Sequence, residues 1–303
     1  MTIKHLVLSG GGPSLFQTLG ALENLQREKY ILPENIETIY STSAGSLVGA
    51  LFSLKYDDSN MINDYILKRP WKDLFHLKIH HILEAYTKKG IYDRSFFEKS
   101  MKPLLEAKDL SLDITLSDFY NYSSVEQHFF TFELNEFKLV DVSYKTHPNI
   151  TLMDALQMSC AIPLLISPVC IENSCFIDGG VSCNYPLAQC IADHPDSNNE
   201  ILGFKNVMED TFEKTIVNQD SSLVDFLLNF LFKAIFSLST VDKQPIIPNE
   251  VVCYTPFLNI GSMKKAVDSM EERKSLFQKG VEAAEEFLSR GTEVPPTTPS
   301  SLI

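Results

Sequence analysis

Residues 36 to 50 read Ile36-Glu37-Thr38-Ile39-Tyr40-Ser41-Thr42-Ser43-Ala44-Gly45-Ser46-Leu47-Val48-Gly49-Ala50. An apolar run, Ile36 to Tyr40, ends in a knot of small residues. A helix-like segment, Leu47 to Leu54, follows. The pattern is strand, sharp turn, helix, with Ser43 at the turn. Small residues two before it (Ser41) and two after it (Gly45) let strand and helix approach, and the turn lifts one hydroxyl clear of the backbone. The usual pattern of this elbow has glycine on both flanks, and here the first is Ser41. The plain alternative is that Ser43 or Thr42 only caps the helix.

Upstream, Ile3 to Leu8 reads as a buried strand, followed by Ser9-Gly10-Gly11-Gly12 and a helix from about Pro13 to Glu28. Pro13 suits a first helical position. A strand, a triple glycine and a helix start offer backbone N–H groups to an anion, either a phosphate or a developing oxyanion. The dinucleotide fingerprint fails because the sixth position from Gly10 is Leu15. No Gly-Lys-Ser/Thr follows, so the phosphate-loop pattern fails as well. A tight turn without a ligand is the alternative. Two successive strand–helix units favour a parallel sheet with crossover helices, whose turns share the C-terminal edge where ligands bind. Gly10 to Gly12 and Ser43 are then expected side by side.

Further on, residues 57 to 110 are mostly helical in pattern. Lys68 to Lys99 is locally basic in an otherwise acidic chain, and reads better as a solvated helical face than as a headgroup-binding one. A hairpin is expected over 125 to 144. A helix over Thr151 to Met158 follows, opened by Thr151 with Asp154 three later. One apolar strand from Ile166 to Ile177 then ends in Asp178-Gly179-Gly180. An aspartate at a strand end before two glycines is well placed for catalysis, the glycines permitting positive φ and a close approach. The same Asp-Gly pair is also an ordinary turn signal. Ser221 to Ser239 is the most apolar helix candidate, with Asp225, Asn229, Lys233 and Ser237 forming a narrow polar stripe. It reads as a core helix showing that stripe to solvent, or else as a lid or membrane-surface helix. A last amphipathic helix covers Met263 to Ser289.

The bulk numbers exclude several classes. The chain has 303 residues, 44% of them hydrophobic, and a net charge of −13. The charge argues against a nucleic-acid binder and against long-range attraction to anionic membranes. The first residues do not form a signal peptide, and no apolar stretch is long enough to span a bilayer. The six cysteines show no metal-ligand spacing, so neither a metal nor another cofactor is expected, and reduced thiols in an intracellular, cytoplasmic protein are the default.

Four motifs now stand in order: Ser9-Gly10-Gly11-Gly12, Ser41-Thr42-Ser43-Ala44-Gly45, Ser159-Cys160-Ala161-Ile162-Pro163, and Asp178-Gly179-Gly180 with Asn184-Tyr185-Pro186. Together they resemble the patatin-like phospholipase family. The resemblance implies a three-layer α/β/α fold with a mostly parallel central sheet. It covers 4–190 as the core; 191–290 is read as a mostly helical extension of the same domain, and 291–303 as a disordered tail. It further implies a metal-independent lipid acyl hydrolase of the phospholipase A or lysophospholipase type. In that role Ser43 is the nucleophile, Asp178 the base, and Gly10, Gly11 and Gly12 the oxyanion loop. The substrate would be a phospholipid or other acyl lipid, met in transient peripheral contact with a membrane. The family often has arginine and then glycine where this chain has Ser14 and Leu15. With Ser41, these departures motivate the alternative of a lapsed, lipid-binding protein on the same fold. No histidine stands at an obvious base position. His194 follows Asp178 but lies in a polar stretch.

Overall fold

The computed structural model describes residues 2–56, 59–75, 85–208, 217–221, 223–239, 245–255 and 260–290. The strands in chain order are β1 (His5–Leu8), β2 (Thr38–Thr42), β3 (Gly90–Tyr92), β4 (Glu126–Glu133), β5 (Lys138–Val142), β6 (Leu164–Ile166), β7 (Val169–Ile171), β8 (Ser174–Asp178), β9 (Ile201–Met208) and β10 (Glu250–Thr255). The main sheet runs β10-β9-β1-β2-β4-β8-β7, with β5 also on β4. The pairs linking β10, β9, β1, β2 and β4 are parallel. The pairs β4–β5, β4–β8 and β7–β8 are antiparallel. The chain is thus a mixed α/β protein on a mostly parallel sheet.

Side-chain alternation divides the core between the two faces of this sheet. Leu6, Leu8, Ile39 and Phe129 pack into the larger cluster, with residues of helices Leu15–Arg27, Ala44–Ser53 and Leu152–Cys160. Val7, Tyr40 and Phe130 pack into the smaller one, beneath helix Leu187–Asp193. All these strand residues are buried, because a central parallel sheet is covered on both sides.

The strand β4 decides where the site can form. One edge carries β5 from Phe129 to Glu133. The other carries β2 from Glu126 to Phe130 and then β8 from Thr131 to Glu133. So β2 climbs and β8 descends along the same edge until their ends abut. Thr42 faces Phe130, and Asp178 faces Thr131, the next residue of β4.

The residues after 190 add β9 and β10 to the sheet as well as helices. The last helix, Met270–Arg290, crosses the first, Leu15–Arg27, at two glycines: a Cβ on Gly20 would strike the Phe277 carbonyl, and one on Gly280 the Gln17 carbonyl. Such contact is open only to residues without a side chain.

Several expectations need correction. The apolar run 166 to 177 is not one strand. It folds as the β7–β8 hairpin, turned at Glu172 with φ 53°. Cys170 and Cys175 face each other across that hairpin and are joined as a disulfide, S–S 2.03 Å, rather than both remaining thiols. The final helix is two, Ile260–Asp268 and Met270–Arg290, because the Ser269 hydroxyl accepts the Glu272 N–H and starts a new one. Within 57 to 110 the short β3 pairs with β6. The tail 291–303 lies outside the described residues.

Candidate active site

The elbow follows directly from its residues. Ser43 sits between β2 and helix Ala44–Ser53 with φ 52° and ψ −123°. That conformation is costly for a residue with a side chain, on the order of 1–3 kcal/mol, and persists only where the surroundings impose it. Gly45 is required because a Cβ there would stand 2.5 Å from the Leu8 carbonyl oxygen. Ser41 fills the flank where glycine is usual, and it is tolerated because its hydroxyl has partners. It donates toward Ser46 Oγ and the His128 carbonyl, each at 3.2 Å.

Ser159 holds the elbow in place. The Ser43 N–H donates to its hydroxyl at 2.9 Å, Ser46 Oγ lies 2.9 Å away, and the Ser159 hydroxyl donates to the Phe130 carbonyl at 2.8 Å. The Phe130 carbonyl sits where β2 gives way to β8, and Ser159 satisfies it there.

Asp178 ends β8 and is 5% exposed. Its Oδ1 accepts the Gly180 N–H at 2.7 Å, while Oδ2 is enclosed and has no hydrogen-bond partner. Burial pushes the carboxyl up to about 6, with the Ser43 hydroxyl and the Gly180 N–H pulling the other way. The Ser43 hydroxyl thus lies against the carboxylate without closing a bond of full geometry. Unliganded sites commonly leave such bonds long. The glycines after Asp178 do not take the positive φ expected of them. Gly179 is needed for close approach, since a Cβ would strike the Phe130 carbonyl, and at Gly180 a Cβ would stand 2.9 Å from Asp178 Oδ1. Cys160 is enclosed beside both groups, and burial raises its thiol well above the ordinary range, so it stays protonated.

The glycine loop stands next to the elbow. A Cβ on Gly10 would lie 3.1 Å from Ser43 Cβ and 3.3 Å from the Thr42 carbonyl oxygen. The Gly10 N–H is committed, donating to the Asn184 carbonyl at 2.9 Å. Among the described residues no hydrogen bond uses the N–H of Gly11 or Gly12. Both take positive φ, 157° and 54°. Ser14, the departure after the loop, accepts from Asn206 Nδ2 at 2.7 Å.

Among the described residues no histidine takes part in this arrangement. His194 stacks on His5 with centroids 3.8 Å apart and lies 3.3 Å from the Tyr40 hydroxyl, on the face under helix Leu187–Asp193. His128 is clasped by Asp141 at 2.7 Å and Glu126 at 3.4 Å. His76, His80 and His81 lie outside the described residues. Part of the basic segment is paired with acidic neighbours among the described residues. Lys68 pairs with Asp64, and Arg94 sits among Glu98, Asp113 and Asp154.

Helix Leu223–Ser239 departs in part from the expected polar stripe, with Lys233 exposed but Asn229 turned inward. Leu228 and Phe232 pack on Ile162 near the site, Asn229 is buried, and Leu223, Phe226 and Phe230 are exposed. Among the described residues no helix is long and apolar enough to cross a membrane.

The fold and the elbow define a class, the α/β proteins built around a serine at a strand-to-helix turn. Within it, the chain belongs to the patatin-like phospholipase family, whose model matches residues 6–191. It is similar to "Probable lipid hydrolase 463L" of Invertebrate iridescent virus 6, 26% identical over 65% of this chain and 66% of that protein's length. It is also similar to "Uncharacterized protein R571" of Acanthamoeba polyphaga mimivirus, 25% identical over 91% of this chain and 89% of the other. Among solved structures, VipD from Legionella pneumophila shares the fold with a TM-score of 0.51. The match covers 96% of this chain and 67% of that one at 15% identity.

Proposed function

We propose that the protein is a lipid acyl hydrolase in which Ser43 and Asp178 act as a dyad. The observation that carries this is the strained Ser43, held beside a buried carboxylate by the register of β4. A serine hydroxyl is a weak nucleophile and needs an adjacent base. Asp178, charged above about pH 6, takes the proton as Ser43 Oγ attacks the ester carbonyl carbon. The uncommitted N–H groups of Gly11 and Gly12 receive the developing oxyanion, with Gly10 held back as support. Collapse expels the alcohol, which recovers the proton from Asp178 and leaves an acyl-Ser43 ester. Asp178 then draws a proton from water as it attacks that ester, and collapse breaks the bond to Ser43 Oγ, which takes the proton back from Asp178 as the fatty acid leaves. Base, nucleophile and oxyanion donors are all supplied by side chain and backbone, so the cycle closes without a metal.

The substrate class is an acyl lipid, phospholipid first, then lysophospholipid and neutral acylglycerol. The exposed Leu223, Phe226 and Phe230 form the face that meets the lipid surface, in peripheral contact. Each such side chain contributes roughly 1.5–3 kcal/mol when buried among acyl chains. With a net charge of −13, that contact is apolar in origin and needs no anionic lipid.

The test is intact-protein mass after treatment with a fluorophosphonate, wild type beside Ser43→Ala. One adduct on the wild type only is expected. A folded wild type that takes no adduct and cleaves no ester, with or without vesicles, points instead to a lipid binder without catalysis.

A further inference from the structure

The glycine loop is clamped by a residue from the far side of the sequence. Asn206 lies on β9, beside β1, where Leu8 pairs with Phe204. Its amide nitrogen Nδ2 donates to the Gly10 carbonyl at 2.9 Å and to Ser14 Oγ at 2.7 Å. The two acceptors flank Gly11 and Gly12, so one carboxamide spans the pair of uncommitted N–H groups. The Asn206 backbone N–H donates to Ser9 Oγ at 3.0 Å, and that hydroxyl donates to the Phe204 carbonyl at 2.9 Å. Asn184 supports the same point from the other side, Nδ2 to the Gly10 carbonyl at 3.1 Å. The space is full: a Cβ on Gly11 would strike Ser14 Oγ and stand 2.8 Å from Asn206 Nδ2.

We infer that Asn206 is a positioning residue for the oxyanion loop, acting with Ser14 as a neutral clamp that fixes where the Gly11 and Gly12 N–H groups point. It does not touch the reacting atoms. Its effect follows from preorganisation, since donors already aimed at the oxyanion need no reorganisation during the reaction. The residue must be an amide. Asparagine donates two hydrogens at Nδ2, matching the two acceptors, and a carboxylate of the same shape donates none. The inference rests on the reading of Ser43 as nucleophile.

The experiment uses the full chain with p-nitrophenyl butyrate and a fluorophosphonate, comparing wild type, Asn206→Ala, Asn206→Asp, Ser14→Ala and the Ser14→Ala/Asn206→Ala pair. Asn206→Ala is expected to lower kcat and the phosphonylation rate together by about 10- to 100-fold, toward the loss seen when an oxyanion donor is removed. KM changes little, and labelling still reaches one adduct per chain at long times. Asn206→Asp falls further, Ser14→Ala less far, and the double variant no further than Asn206→Ala, as expected of groups acting as one unit. A merely structural role gives the opposite pattern, a reduced final stoichiometry with a normal rate in the fraction that labels. That pattern, or an Asn206→Ala rate within about threefold of wild type, overturns the clamp. A wild type silent to both reagents overturns the nucleophile itself, and only in that case is the wild type silent.

Discussion

Replacing Asp178 by asparagine should abolish turnover and make the protein more stable. The carboxyl is enclosed, one of its oxygens has no hydrogen bond, and burial raises it from 3.8 to about 6. Below the lower value the folded and unfolded chains both hold the proton. Between the two values the unfolded chain releases it while the folded chain keeps it, so stability falls as pH rises. Above about 6 the loss is complete and amounts to about 3 kcal/mol, at 1.36 kcal/mol per pKa unit. Asparagine has no charge to desolvate and keeps an oxygen for the Gly180 N–H. Its amide hydrogens need acceptors, which returns about 1–2 kcal/mol. Urea unfolding followed by circular dichroism should therefore find Asp178→Asn more stable than wild type by about 1–2 kcal/mol at pH 8. The gap should close toward pH 4.5, and taking the difference between variants cancels every other titrating group. A variant no more stable than wild type at pH 8, or a gap indifferent to pH, would refute the reasoning that this carboxylate is charged at a cost.

Three further outcomes are expected. In the wild type, kcat/KM for a soluble ester should rise with pH through about 6, as the base loses its proton; a flat profile from pH 5 to 8 speaks against Asp178 in that role. His128 is desolvated but raised to about 9 by Asp141 and Glu126. Its charge is stabilising below the ordinary 6.5, and that stability is lost as pH rises through about 9. The excess stability of wild type over His128→Gln, measured by denaturant, should shrink across that window. Gly280→Ala should lower Tm by several degrees without altering the phosphonylation rate of folded protein, because the methyl would strike the Gln17 carbonyl, far in sequence from the elbow.

How much of this was legible in the sequence depended on range. Ser43, Gly45 and the triple glycine announce themselves because their constraint is local, a turn that admits only small residues. Asp178 was visible for the same reason, although the purpose of its glycines was not: they make room for a β4 carbonyl 49 residues earlier in the chain for Gly179, which no local pattern records. The β7–β8 hairpin was hidden inside one continuous apolar run. Ser159 stood in a motif that gave no hint of its role, and Asn206 carried no signal of function at all. A serine ending a helix and an asparagine in a strand are common, and only the fold brings Asn206 to Ser14 across 192 residues. The departure at Ser14 looked like a loss because the group that answers it lies in the last third of the chain. The exposed apolar side of helix Leu223–Ser239 was only one of two readings of its sequence, because a core helix and a surface-seeking helix have the same composition.

The abutment of β2 and β8 along one edge of β4 has a consequence for how this molecule can vary. Ser43 and Asp178 take their separation from consecutive peptide units, Phe130 and Thr131, rather than from any loop. Their spacing is therefore counted in whole residues. Length changes in the connections that deliver β2 or β8 leave it untouched. A single residue inserted between Phe130 and Thr131 would offset the two chain ends by about 3.3 Å, and would turn every following side chain of β4 to the opposite face. Descendants of this gene can lengthen nearly any surface segment and remain hydrolases, but an indel at that one codon boundary has no small version.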